Sequence, residues 1–477
     1  MPEPRKFPQK SELDSNRISW LLLKLSTPAF LGMFVQGLNN VINTIFVGQY
    51  VSRDAIGGLG IVFPLQMFAM GIGMMVGIGG LSVMSRAMGS GDNARAEHAL
   101  GNCFFLGLVL SVIVMVILMP FSRTWLNLLG AEGDILDYGN SYLLVIVSGT
   151  IFNTFAVALL SLVRAEGNTR IPMISMIIGA LVCVAFTALF VITFKWGVAG
   201  SAWATVISQI ASMIFLFTYY TRGQGYLKMR FKNFKPDFKI LRAMLAVGIS
   251  SFVQTISSSV SGVIMLHNVS VYGGALALDA FGIVQRVMMF VAMPAMAIGQ
   301  GLQPILGFNY GAGRYRLGLR GIYMAYGSST ILCLVIYALV MLLPGQIVSI
   351  FRDDPELINM GIFTMRRVLL AVPLMGVVMV GQMIFQAIGK AGQSFVAAFS
   401  RPVLFMIPLV LVLSHFWKLE GTLYSFPASD TLTCVFIALL MIPVIMEFRK
   451  LSRQEGEKYL VAAPAASIEK SGGEASE

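Results

Sequence analysis

Twelve long apolar runs separated by short polar loops constrain this chain more than any other feature of its sequence. They centre on residues 25–47, 56–81, 103–121, 142–163, 173–193, 200–220, 245–271, 280–307, 322–343, 358–388, 395–415 and 424–445. A helix that crosses a bilayer needs about 20 mostly apolar residues. The runs therefore predict twelve transmembrane helices. A membrane β-barrel would need apolar and polar residues in strict alternation, which these solid runs lack. Only 12% of the residues are charged, against 56% hydrophobic, and a soluble domain carries about twice that charge. Glycine and several prolines (Pro28, Pro64, Pro294, Pro304, Pro373) fall inside the runs. A helix packed among other helices in lipid tolerates them as kinks and close contacts. The fold class this implies is an all-α integral membrane protein.

The net charge of +11 does not point to nucleic acid, because the basic residues sit in loops and form no patch or stripe. Their distribution instead sets the orientation. With both termini in the cytoplasm, 26 of the 34 lysines and arginines fall on the inner side. The outer loops hold Arg53, Arg123, Lys195, Arg352 and Lys418. The chain then divides into a cytoplasmic N-terminal segment (1–18), an N-terminal six-helix bundle (19–221) and a basic cytoplasmic linker (222–242). A C-terminal six-helix bundle (243–450) and a disordered cytoplasmic tail (451–477) follow. The linker's charge suits anionic headgroups. Cys103, Cys183, Cys333 and Cys434 lie singly in apolar runs and read as small core residues. The polar N-terminus and the length of the first run do not read as a cleavable signal peptide.

The two halves repeat each other at one constant offset. Gly89 and Gly91 of "AMGSGDNAR" correspond to Gly311 and Gly313 of "NYGAGRYR". The same offset carries Ala165 and Gly167 onto Ala387 and Gly389, and it aligns "LGAEGDIL" with "FRDDPELI". Each half has an even number of spans, so both enter the membrane in the same sense. That is a parallel repeat about an axis along the membrane normal, with a cavity between two bundles, and it is typical of a carrier that rocks one bundle against the other. No P-loop, nucleophile–base pair or metal motif accompanies it, which argues against an enzyme or a self-contained ATP pump.

The chain also resembles the multidrug and toxic compound extrusion (MATE) transporters over roughly residues 19–446. The resemblance rests on Pro28, Asn40, Thr44, Phe46, Val47 and Gly48 in the first run, on "RAEGNTRIPM" and "GVAGSAWAT", and on "FGIVQRV" and "QPILGFNYGAGR". It implies a plasma-membrane antiporter, in the bacterial inner membrane, that exports amphipathic and often cationic organic compounds. The exchanged ion would be H+ or Na+, and no other cofactor is implied. The expected partners are a small organic substrate and the lipid bilayer, with no nucleic acid, and the protein is expected to be a monomer. The sequence departs from the family where the ion chemistry is expected. Asn43 stands where an aspartate is common, and Cys183 and Thr187 stand where an asparagine and an aspartate are common.

Gln36, Asn40 and Asn43 are spaced by four and three, so one helix face carries all three. An unpaired amide facing lipid is costly, which places them in a polar pocket of the N-terminal bundle. Asn43 can offer a carbonyl oxygen to a cation but cannot exchange a proton. Asn153 either faces the same pocket or joins two helices. Asp279 and Arg286, seven residues apart and near one face of span eight, are functional candidates because intramembrane charge is costly. Their structural alternatives are an interfacial Asp279 and an Arg286 bonded to neighbouring backbone. Arg366 and Arg367 read as snorkelling residues, and His267 as a hydrogen-bonded packing residue. Two other functions stay open. One is a flippase for an amphiphilic or lipid-linked substrate, whose cavity would need cations for a phosphate. The other is a family member that has lost ion coupling along with the acidic cluster.

Overall fold

The computed structural model describes residues 12–51, 53–223, 225–227, 234–351 and 354–472. The described residues form helices and connecting turns, with no strand among them. The N-terminal half contributes α1 (Ile18–Tyr50), α2 (Arg53–Gly89) and α3 (Asn93–Leu118). Span α4 is broken, with Gly133–Ser148 and Thr150–Ala165 meeting at 52°. Span α5 (Arg170–Thr187) ends in a π-helical turn, Ala188–Thr193, and α6 covers Gly197–Thr221. In the second half a positive φ at Gly274 reverses the chain between α7 (238–273) and α8 (275–311). Span α9 is Tyr315–Leu342, and α10 runs from Pro355 to Ile388 through a short 3-10 turn. Span α11 (391–417) contains the π turn Ser400–Met406, and Lys418, at φ 49°, turns it into α12 (419–472). These are the twelve expected spans.

Each half places its irregularities at corresponding points. The short helices Ser122–Leu128 and Pro344–Ser349 begin at positions separated by the same offset as the sequence repeat, and the fifth span of each half carries a π turn. In α11 the turn follows from Pro402, which has no N–H and disrupts the regular helical ladder. Two readings of the sequence change here. Residues 454–472 continue α12 as helix where a disordered tail was expected, since their Ala, Glu, Lys and Leu are good helix formers. Arg401 lies well inside α11, not in a cytoplasmic loop, although the positive-inside bias survives its removal. Part of the 222–242 linker lies outside the described residues.

Large apolar side chains cover the outside. On α3, Leu108, Val109, Val112, Ile113, Val116 and Ile117 are exposed at helical spacing. Such a stripe would drive aggregation in water, and it fits acyl chains. Inside, the bundles meet through glycine. A Cβ on Gly89 of α2 would strike the Phe308 carbonyl oxygen of α8, and a Cβ on Gly311 would strike the Arg86 carbonyl oxygen. Gly89 and Gly311 are equivalent positions of the repeat, and so are Arg86 and Phe308. The two contacts are thus one contact made twice, and the repeat axis passes between α2 and α8. Gly79 meets the Met244 backbone and Gly248 meets the Met75 backbone in a second pair between α2 and α7. Without side chains the helix backbones touch.

Candidate functional site

The glycine contacts close the bundles at one end, the end that carries the α2–α3 and α8–α9 loops. There residues 301–309 of α8 are buried without exception. Hydrogen bonds reinforce the closure. Ser82 Oγ donates to the Gln386 carbonyl (2.5 Å), and Arg164 Nη1 donates to Gln300 Oε1 (2.7 Å). The N-terminal segment spans both halves, since Leu13 packs on Gly167 of the α4–α5 loop and Asp14 pairs with Arg314 ahead of α9. Glu166, in the same loop, is buried. It accepts from Tyr219 Oη (3.1 Å), Tyr226 N (3.1 Å) and Leu227 N (3.3 Å). Burial outweighs these bonds and pushes its carboxyl up to about 7.

Beyond the closure lies a cavity of about 520 Å³ within the N-terminal bundle. Span α1 supplies Gln36, Asn39, Asn40 and Asn43, and α4 supplies Tyr142, Thr150 and Asn153. Span α6 adds a hydroxyl face, Ser201, Thr205, Ser208 and Ser212, at spacings of four, three and four. Met67, Met70, Met176 and Met289 give the wall adaptable apolar surface. None of the described lining residues is charged. Asn43 Oδ1 accepts from Ser201 Oγ (3.1 Å) and Thr187 Oγ1 (3.4 Å), which ties α1 to α5 and α6. Those two bonds occupy the carbonyl oxygen that a cation would need.

The structure thus brings Gln36, Asn40, Asn43 and Asn153 to one cavity and joins Thr187 to Asn43. Asp279 and Arg286 lie outside it. Met289, Phe290 and Met293 of the same helix pack towards Gly37 of α1. Arg286 sits about one turn, and Asp279 about three turns, further out. Both are exposed. The sequence reading overlooked Asn39, Gln66 and the α6 hydroxyls. The hydroxyls had a detectable signal in their helical spacing, but serine and threonine are common in membrane helices as internally bonded residues. Thr205 and Ser208 do bond back to their own helix.

One closed end, a polar cavity without charge among its described lining residues and two bundles related by a repeat fit a multi-pass membrane protein of the carrier class. The family model described as MatE matches residues 28–189 and 249–412, one segment in each bundle. The chain belongs to the MATE family. It is similar to the multidrug export protein MepA of Staphylococcus aureus, with 23% identity over 428 residues, covering 89% of this chain and 94% of that protein. A solved structure described as the outward-facing conformation of a multidrug resistance MATE family transporter of the MOP superfamily superposes with a TM-score of 0.88 at 21% identity. The match covers 94% of this chain and all of that one. Another, described as "protein A", is 34% identical with a TM-score of 0.85, covering 91% of this chain and 97% of that one.

Proposed function

We propose that this protein is a secondary antiporter that exports amphipathic, often cationic, organic compounds by alternating access, in exchange for H+ or Na+. The observation that carries the reading is the pairing of a tight closure at the cytoplasmic end with a polar, methionine-walled cavity beyond it. A cargo held there is cut off from the cytoplasm and released outward when the bundles part. Amide and hydroxyl dipoles with the faces of Phe63 and Tyr142 suit a lipophilic cation. Two of the similar proteins are described as a multidrug export protein and a multidrug resistance transporter, which supports export of organic compounds. The flippase reading loses ground, because a phosphate headgroup calls for basic residues and the described cavity lining has none. The protein would work as a monomer in the plasma membrane with both termini in the cytoplasm.

The test is transport of ethidium by the full-length protein in proteoliposomes under an imposed proton or sodium gradient. Gradient-driven accumulation above protein-free vesicles is expected. Its absence under both gradients, with protein that remains folded, would overturn the antiporter reading.

A further inference from the structure

Among the described lining residues of the N-terminal cavity there is no carboxylate or histidine, and the C-terminal bundle holds a buried carboxylate. Asp430 lies about 16 Å into α12 from its outer end, and Arg401 about 15 Å into α11 from its inner end, so both sit deep in the membrane. Arg401 Nε donates to Asp430 Oδ1 at 2.5 Å. The Asp430 side chain is 3% exposed and that of Arg401 is 27% exposed. Among the described residues Asp430 is the only carboxylate buried within a span. Glu166 lies in a loop, and Asp279 and Glu447 are not buried. An ionisable residue at such depth is expensive, and that expense marks function more often than structure.

Its place in the repeat sharpens the point. Asn43, Thr187 and Ser201 join spans one, five and six of the first half. The corresponding spans of the second half are seven, eleven and twelve. These are joined by Ser261 Oγ donating to the Pro402 carbonyl, by Ser429 Oγ donating to the Arg401 carbonyl, and by the Arg401–Asp430 pair. One junction is neutral and the other carries a full charge pair, held on the Pro402 π turn, where the helix is least regular. The other ionisable groups near Asp430 are the Cys434 thiol one turn along α12 and, beyond it, Tyr326 of α9.

We propose that the Arg401–Asp430 pair is the proton-coupling site of this transporter. In the proposed cycle the closed pair is Asp430 as a carboxylate held by Arg401. A charged carboxylate parted from its partner in this setting is costly, so separation of the pair and uptake of a proton by Asp430 go together. Release of that proton restores the pair. The two arrangements give the C-terminal bundle two states that differ by one bound proton, which is what coupling to a proton gradient requires. This inference rests on the antiporter reading above.

The test uses full-length protein in proteoliposomes and two measurements, ethidium exchange without a gradient and ethidium accumulation driven by a pH gradient. Arg401→Gln with Asp430→Asn removes both charges together, which avoids stranding one buried charge. The double variant is expected to keep exchange and to lose pH-driven accumulation down to the level of empty vesicles. Retention of that accumulation would make the pair structural and overturn the proposal. A wild type driven by sodium and not by protons would overturn it too, while leaving the antiporter reading intact. A wild type driven by neither would remove both. If the double variant also loses exchange, Asp430→Glu decides. It keeps the acid and alters its reach, so the pH midpoint of wild-type-like accumulation must move, and an unmoved midpoint would count against the proposal.

Discussion

At the residue scale the cavity is organised by what Asn43 accepts. Its carbonyl oxygen takes hydroxyl protons from two other helices, so its first task is to hold α1, α5 and α6 together. Replacement by leucine would leave the buried Thr187 and the Ser201 hydroxyl without that acceptor, at a cost of about 1–3 kcal/mol. A thermal unfolding midpoint several degrees below wild type in detergent is the expected result, and an unchanged midpoint would show that the hydroxyls find other partners. Asn43→Asp keeps the shape and adds an ionisable group, so ethidium transport should gain a pH-dependent step that wild type lacks. An identical pH profile would place position 43 off the transport path. The α1 amides were legible in the sequence because their spacing marks one face and lipid forbids it. The Arg401–Asp430 pair was not. Its members lie 29 residues apart in two spans, and nothing in the sequence states that the spans pack together.

At the scale of elements the decisive parts are the glycine contacts and the loops that cap them. A Cβ at Gly311 would meet backbone, not a flexible side chain, so α2 and α8 must separate to admit it. Overpacking of this kind costs about 1–3 kcal/mol, and here the cost falls only on the closed state. Gly311→Ala should therefore raise the rate at which a cysteine placed at Ser85, buried at the closure, reacts with a thiol reagent. No change in that rate would mean the closure does not depend on backbone contact. Glu166 gives the same end a pH dependence. Its carboxyl is raised from 4.5 to about 7, so between those values the folded protein keeps a proton that the unfolded chain has lost. Its contribution is full below about 4.5 and is lost as pH rises through about 7. Glu166→Gln cannot ionise, so its melting temperature should rise relative to wild type between pH 5 and pH 8. A constant difference would show that Glu166 does not titrate in this range. The helices were readable because their apolar runs match bilayer thickness. The π turns and the break in α4 were not, since a local departure from helical regularity leaves the composition of a run almost unchanged.

At the scale of the molecule the repeat becomes a mechanism. The constant offset between the halves reappears in space as reciprocal contacts between Gly89 and Phe308 and between Gly311 and Arg86, so one axis relates the two bundles. The repeat and the number of spans could be seen in the sequence. Which residues share a cavity could not, and Asp279 and Arg286 show why. Helical periodicity places a side chain on a face but does not say where that face meets the opposite bundle. The proposal at this scale is that the two bundles rock against each other, breaking and remaking the α2–α8 contact, to expose the cavity alternately. Its most direct test is a pulsed electron-spin distance measurement in lipid nanodiscs, with spin labels at Ser90, after α2, and Arg316, at the start of α9. Alternating access predicts a short distance matching the closed end and a second, longer population whose share changes when ethidium or a change of pH is applied. A single distance distribution, unmoved by either while ethidium is shown to bind, would contradict it.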